Sequence, residues 1–285
     1  MKFNLYVLLP VHNRITITDG FIACLLSQTF KNYHLILIDD GSNDGTSEMV
    51  RSKVPNLTII RGQGDWWWAG SLQQGLNCLK SQQLSNDDLV LFINDDLYFS
   101  PDYFALACSV MANKKGVLML SQFLNIETNK ITESGIYADM KNLIFLTADK
   151  PENINCLSTR GLFIHWEDIK VIGDFYPKLL PHYLSDYEYT MRAYRKGLLL
   201  KTSNKLLIEP NFETTGYHQF DQENFLSFVK KFFSKKAALN PLYWTSFILL
   251  ASPSLLIKII NILRVWLGAL KMILRAFFLR SKPSC

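Results

Sequence analysis

Leu89 to Ile93 reads L-V-L-F-I, and the next three residues are Asn94, Asp95 and Asp96. An apolar run this continuous suits a strand buried on both faces, as in a parallel sheet covered by helices. The polar triplet then falls at the strand's carboxyl end, where open α/β sheets take their ligands. Two adjacent carboxylates repel each other, so both stay ionised at low cost only if a cation or several donors face them. Hard oxygen ligands suit Mg²⁺ or Mn²⁺, ions that commonly arrive on phosphate oxygens. The alternative is a solvated acidic turn ahead of a helix starting at Ser100-Pro101.

The flanking sequence repeats this design. Leu5 to Pro10 predicts a first buried strand that delivers His12, Asn13 and Arg14, and a helix follows from about Asp19 to Gln28. His34 to Ile38 predicts a second strand, ending in Asp39-Asp40-Gly41-Ser42-Asn43-Asp44-Gly45-Thr46. Its glycines supply turn geometry, and Asn43 or Asp44 can cap the next helix. Strand, polar glycine turn and helix suit a nucleotide. With neither G-x-G-x-x-G nor a Walker lysine motif present, the dinucleotide and P-loop readings lose their support.

Leu57 to Ile60 predicts a third strand, followed by Trp66, Trp67, Trp68, Ala69 and Gly70. Successive side chains diverge on any regular element, so three consecutive tryptophans cannot all face one core. At least one should line a cleft and stack on a sugar or base, unless all three wedge between layers. A helix from Ser71 to Gln82 leads into the Leu89 strand.

Beyond Asp96 the pattern predicts a helix over Pro101–Ala112 and a strand over Val117–Leu120. Residues 121 to 155 alternate irregularly, like an insertion of antiparallel strands. Gly161 would let backbone pass close to a ligand. Glu167–Ile172 reads as a helix closed by Gly173, and Ser185 as the N-cap of a helix ending near Lys196. Asp186 and Glu188 occupy that helix's first turn, where the dipole also favours acids for structural reasons alone. Two short strands, Leu198–Thr202 and Lys205–Ile208, lead towards His218, and a lone histidine there is more often structural than a ligand.

The net charge of +5 is modest but unevenly placed: from Lys230 onward every charged side chain is Lys or Arg. Leu242 to Ile257 carries no charge, yet Pro253 interrupts it and it falls short of the ~20 residues that span a bilayer. From Ile259 on, Arg264, Lys271 and Arg275 recur along one helical arc among apolar residues. This pattern predicts an amphipathic helix lying on an anionic membrane surface. A hairpin around Pro253 and an apolar dimer interface are the alternatives. Residues 1–220 and 221–285 are therefore expected to form a catalytic unit and a membrane-associating tail. Basic residues set in apolar bulk argue against nucleic-acid binding. Five scattered cysteines imply a reducing compartment, and the Leu5–Leu9 run is too short for a signal peptide.

Pro10-Val11-His12-Asn13-Arg14, Ile38-Asp39-Asp40-Gly41-Ser42, Asn94-Asp95-Asp96 and Ser185-Asp186-Tyr187-Glu188 stand in an order that resembles the family 2 glycosyltransferases of the GT-A fold. Within that family the chain is most similar to rhamnosyltransferase-like enzymes of bacterial surface polysaccharide. The resemblance implies a Rossmann-like α/β fold with a mostly parallel sheet, and an inverting, metal-dependent transfer of a sugar from a nucleoside diphosphate-sugar to a glycan or lipid-linked glycan. It implies that Asp39 or Asp40 meets the base, that Asp95 meets ribose or metal, and that Asp96 and His218 hold the metal. Asp186 would be the catalytic base, with Glu188 in reserve. Pro10, His12, Asn13, Arg14, Trp67, Trp68, Gly70, Asn94 and Gly161 would line the donor site. Asn94 departs from the family by replacing the first carboxylate of D-x-D, and Ser185 stands where many members have an acid. A sugar-1-phosphate nucleotidyltransferase would need a glycine-rich loop where His12-Asn13-Arg14 stands. A non-catalytic glycan-binding scaffold would have no need of carboxylates at all three clusters. The implied location is the cytoplasmic face of a bacterial inner membrane, peripherally bound.

Overall fold

The computed structural model describes residues 3–125, 127–211 and 224–280. In chain order the elements are β1 (Leu5–Val11), α1 (Ile15–Ser27), β2 (Tyr33–Asp39), α2 (Thr46–Lys53), β3 (Leu57–Arg61), α3 (Trp67–Lys80), β4 (Leu89–Phe92) and β5 (Leu97–Tyr98). There follow α4 (Tyr103–Met111), β6 (Val117–Asn125), β7 (Lys130–Glu133), β8 (Ile136–Asp139), β9 (Ile144–Thr147), β10 (Leu162–His165), α5 (Trp166–Ile172) and α6 (Ser185–Arg195). β11 (Leu199–Pro210), α7 (Phe225–Phe232), α8 (Pro241–Ala251) and α9 (Leu255–Arg280) complete the chain.

The central sheet runs β3-β2-β1-β4-β10-β6-β11-β5, with β7 added to β6. Strand alternation splits its side chains between two cores. Leu5, Val7, Leu9, Leu89 and Leu91 pack under α1 and α4, while Leu8, Ile36, Ile38, Val90 and Phe92 pack under α3, α5 and α6. Helices on both faces explain why the strands are apolar throughout.

The sheet is mixed, which corrects the expectation of a mostly parallel one. β1–β2, β2–β3, β1–β4 and β6–β11 are parallel, whereas β10 runs antiparallel to both β4 and β6, β7 to β6, and β5 to β11. The chain leaves β6 at its carboxyl end, passes through the β8–β9 hairpin insertion and re-enters from that same end, so β10 must run backwards. β10 is buried on both faces like its parallel neighbours, and its apolar sequence therefore carries no sign of its direction. The two short strands expected after Leu198 are one strand with an irregularity between Ser203 and Leu207, because polar residues there read as a turn although the pairing continues.

The helices after residue 224 pack onto this body. Phe247 and Ala251 of α8 share a core with Ala138, Met140, Leu184 and Met191. Asn261 of α9 is fully buried and donates to the Met140 carbonyl at 2.7 Å, and Arg264 donates to the Asn142 carbonyl at 3.0 Å. Phe228 and Phe232 of α7 pack on Ala269 and Ala276 of α9. The opposite side of α9 presents Leu256, Ile260, Leu263, Leu267, Leu270, Leu274 and Phe277, between 43% and 68% exposed. Among the described residues no helix is long and apolar enough to cross a membrane.

Candidate active site

Parallel pairing brings the carboxyl ends of β2, β1 and β4 to one rim, so Asp39-Asp40, His12-Asn13-Arg14 and Asn94-Asp95-Asp96 emerge side by side. Asp95 and Asp96 are 3% and 4% exposed, which rules out a solvated acidic turn. The Arg14 guanidinium bridges them, 3.2 Å from Asp95 Oδ1 and 3.3 Å from Asp96 Oδ2. Thr18 Oγ1 donates to Asp95 Oδ2 at 2.9 Å, and Arg160 Nη2 stands 3.9 Å from Asp96 Oδ1. Burial pushes the Asp95 carboxyl up to about 6; Asp96 adds to the rise, while Arg14 and Thr18 oppose it. Asn94 Oδ1 and Asp96 Oδ1 are buried and find no hydrogen-bond partner among the described residues.

The turn after β2 is built by its acids. Asp39 accepts from the Ser42 amide at 2.8 Å and from the Ser47 hydroxyl, so it shapes the turn from inside. Asp40 Oδ1 accepts from the Gly64 amide at 2.9 Å, and its Oδ2 accepts from the Trp66 and Trp67 amides at 2.9 and 3.0 Å. It thereby satisfies donors at the start of α3, which has no side-chain cap of its own. Gly41 has φ +80°, and a Cβ there would sit 2.7 Å from the Gly64 nitrogen. Asp44 accepts from Ile15 N at 2.9 Å and Thr46 N at 3.1 Å, capping α1 and α2 together. Asn13, with φ +51°, locks the turn to the β1 end by accepting from Asn43 N at 2.8 Å.

Above this floor lies a cavity of about 380 Å³. Of the residues expected at a donor site, Pro10, His12, Arg14, Asp40, Trp67, Trp68, Asn94 and Asp95 line it. Asn13, Asp39 and Asp96 do not line it; Asn13 is exposed, and Asp39 and Asp96 are buried. Gly70 does not line it; a Cβ there would lie 3.0 Å from the Cβ of Trp66, one turn earlier at the start of the same helix. Gly161, φ +85°, faces Ile208 Cδ1 at 2.8 Å from a would-be Cβ, so its close approach is to β11. His218 lies outside the described residues. The tryptophans diverge as the geometry requires: Trp66 packs into the core, Trp67 turns into the cavity at φ +58°, and Trp68 donates to Thr159 Oγ1 at 2.9 Å from the cavity wall.

Ser71, His182, Tyr183 and Lys236 also line this cavity and were not foreseen. His182 meets the Trp67 ring edge-on at 5.9 Å, and Lys236 Nζ lies 5.5 Å from that ring's centroid. Burial, and then the Lys236 charge, lowers the His182 imidazole to about 4, so it is neutral near pH 7. Pro181-His182-Tyr183 offered a faint signal as an aromatic pair beside an acidic helix start. Lys236 offered none, because it sits in sequence that reads as tail.

A second cavity of about 1130 Å³ adjoins the first, and Tyr183 and Lys236 line both. Asp186 opens into this larger space, between the β8–β9 hairpin and the α7–α8 segment. The N-cap of α6 is Leu184 at φ +68°, not Ser185, whose hydroxyl donates to the His182 carbonyl at 2.6 Å. Glu188 is committed elsewhere. Arg192 Nε and Nη2 each hold it at 3.0 Å, and the same guanidinium donates to the Ile172 and Asp174 carbonyls, which leaves Asp186 as the acid of this helix start that faces a cavity.

Among the described residues no group of three or more His, Cys, Asp or Glu could enclose a cation. The two orphaned oxygens of Asn94 and Asp96 fit two positions of a hard-cation shell, one neutral and one charged.

Residues 6–164 match the family model described as Glycosyl transferase family 2. An uncharacterized glycosyltransferase of Rickettsia felis is 46% identical over 44 residues, a segment that covers 15% of this chain and 7% of that protein. S. aureus TarS 1-349, solved in complex with UDP-GlcNAc, aligns with TM-score 0.58 and 17% identity over 90% of this chain and 69% of that one. The mannosyltransferase PcManGT from Pyrobaculum calidifontis, solved with GDP-Man and Mn²⁺, aligns with TM-score 0.56 and 15% identity over 96% and 82% of the two chains. At these identities the structural likenesses speak to the fold.

Proposed function

The chain belongs to glycosyltransferase family 2, and from that premise we propose that it moves a hexosyl or deoxyhexosyl group, with inversion, from a nucleoside diphosphate-sugar to a hydroxyl of a glycan or lipid-linked glycan. One observation carries the reading: two adjoining cavities share Tyr183 and Lys236, the smaller holding Asp40, Asp95 and Trp67 and the larger holding Asp186. The donor occupies the smaller one, where the Trp67 ring stacks on it, Asp40 accepts from the base and Asp95 meets ribose. TarS and PcManGT, solved with nucleotide-sugars, support a donor of this class.

The acceptor enters the larger cavity, and its hydroxyl proton passes to the Asp186 carboxylate as the oxygen bonds to the anomeric carbon. The bond from that carbon to the diphosphate breaks, and the electron pair leaves with the diphosphate. Arg14 and Arg160 keep the buried acids neutralised around the departing group. When bound, a divalent cation, Mn²⁺ or Mg²⁺, neutralises charge on the diphosphate. Asp96 and Asn94 would hold it, together with His218, and the amide in place of a carboxylate makes for weaker binding.

The motif set supports a role in bacterial surface polysaccharide. The exposed apolar side of α9, bordered by Arg264, Lys271 and Arg275, supports peripheral attachment to an anionic membrane at its cytoplasmic face. The test is a thermal-shift screen of nucleotide-sugars with and without Mn²⁺ or Mg²⁺. A ligand that binds only the folded state raises its stability, so one donor should raise the melting temperature in a divalent-dependent way. If no nucleotide-sugar does so with either ion, the proposal fails.

A further inference from the structure

Lys236, like Tyr183, lines both cavities, and so sets a cation at the seam where a donor in one meets an acceptor in the other. Its Nζ lies 5.5 Å from the centroid of the Trp67 ring, and its charge adds to the burial that lowers the His182 imidazole. Among the described residues Lys236 makes no hydrogen bond and no ion pair. The described acids that line the smaller cavity are already engaged: Asp40 accepts from the Gly64, Trp66 and Trp67 amides, and Asp95 is held by Arg14 and Thr18. An aromatic face compensates an ammonium only weakly, and the stronger partner is an anionic oxygen. The loop that carries Lys236, between α7 and α8, is pinned in place. Fully buried Asn240 donates to the Ser234 carbonyl at 3.1 Å, and Trp244 Nε1 donates to the Ala238 carbonyl at 2.9 Å. A charge whose backbone is fixed beforehand costs little reorganisation when opposite charge develops beside it.

We infer that Lys236 is a catalytic residue of the transfer: its ammonium donates to the donor's diphosphate and stabilises the charge that grows there as the bond to the anomeric carbon breaks. This rests on the transferase reading. The acceptor reacts through a neutral hydroxyl, so the negative charge that develops at the seam is the diphosphate's. The electron pair of the broken bond stays on the diphosphate oxygen, and the ammonium keeps its proton throughout. The α7–α8 loop then belongs to the active site, although its sequence reads as part of a membrane-associating tail.

Calorimetric titrations of the full chain with UDP, GDP, dTDP, ADP and CDP, each beside its own nucleoside and with Mn²⁺ present, test it. For the nucleotide that binds, Lys236→Gln should weaken the diphosphate by roughly tenfold or more and leave the nucleoside within about twofold of the parent. Lys236→Met, which keeps the aliphatic stem beside Trp67, should lose as much. Lys235→Gln, an exposed neighbour that lines neither cavity, should bind the diphosphate like the parent. Turnover with the matching nucleotide-sugar should fall by ~10–10²-fold in Lys236→Gln and Lys236→Met. A Lys236→Met protein that binds the diphosphate within about twofold of the parent, or one that loses nucleoside and diphosphate alike, overturns the inference and leaves the transferase reading standing. Failure of every diphosphate to bind the parent would overturn both.

Discussion

Replacing Asp40 by Asn should destabilise the protein as well as weaken donor binding, because its carboxylate already accepts from three backbone amides, those of Gly64, Trp66 and Trp67. An asparagine can keep its carbonyl oxygen on the Trp66 and Trp67 amides, but its NH₂ group then faces the Gly64 amide, donor against donor. One charge-assisted hydrogen bond is lost, for ~1.5–3 kcal/mol, and two are weakened to neutral ones, for roughly 0.5–1 kcal/mol each. Loss of the negative charge at the start of α3 adds about 0.5 kcal/mol. The sum is about 3–5.5 kcal/mol at a residue only 6% exposed. For a chain of this size that corresponds to a melting temperature lower by roughly 6–15 °C. Differential scanning calorimetry without ligand measures it directly. A variant that melts within about 2 °C of the parent yet fails to bind a nucleotide-sugar would make Asp40 a ligand contact alone, and the account of how the turn is held would be wrong.

Two further predictions follow from the same geometry. Gly75→Ala on α3 places a Cβ 2.9 Å from Ile38 Cδ1 and 3.0 Å from Leu8 Cδ1, so overpacking of ~1–3 kcal/mol should outweigh the ~1 kcal/mol gain in helix propensity. Denaturant unfolding should show a lower midpoint, and a stabilised variant would mean that α3 sits farther from the sheet. The second concerns pH. Burial raises Asp95 from 3.8 to about 6 in the native state, so the native protein holds this proton more tightly than the unfolded chain does. Its contribution is therefore fully present below pH 3.8 and is lost as pH rises through about 6, an effect of ~3 kcal/mol. His182, lowered to about 4, works the other way as its stability is lost on acidification. Comparison with Asp95→Asn isolates the carboxylate: the parent's stability relative to the variant should fall between pH 4 and 7. A difference independent of pH contradicts the raised value.

The parts of the site that pattern alone revealed are those where one residue type has one physical use. Leu89 to Ile93 had to be a doubly buried strand, and that placed Asp95 and Asp96 at its carboxyl end. Three adjacent tryptophans had to diverge, and Trp67 and Trp68 do reach the cavity. What stayed hidden depended on long-range direction or on shared chemistry. Nothing in Leu162–His165 says that β10 runs antiparallel, because burial on both faces erases the cue. Asp39 and Asp40 look interchangeable in sequence, yet one faces Ser42 and Ser47 and the other lines the cavity. Asp186 and Glu188 look alike too, and only the position of Arg192 one turn later commits Glu188 to structure. Lys236 reads as part of a basic tail until the chain folds back and sets it against Trp67.

The central claim is that Asp186 takes the acceptor proton across the wall shared by two adjoining cavities. Turnover and donor affinity measured together for Asp186→Asn, with the nucleotide-sugar that stabilises the parent, test it most directly. The account predicts turnover lower by ~10²–10⁴-fold with donor affinity held to within about twofold. Transfer at close to the parent rate, or donor binding lost along with turnover, would contradict it.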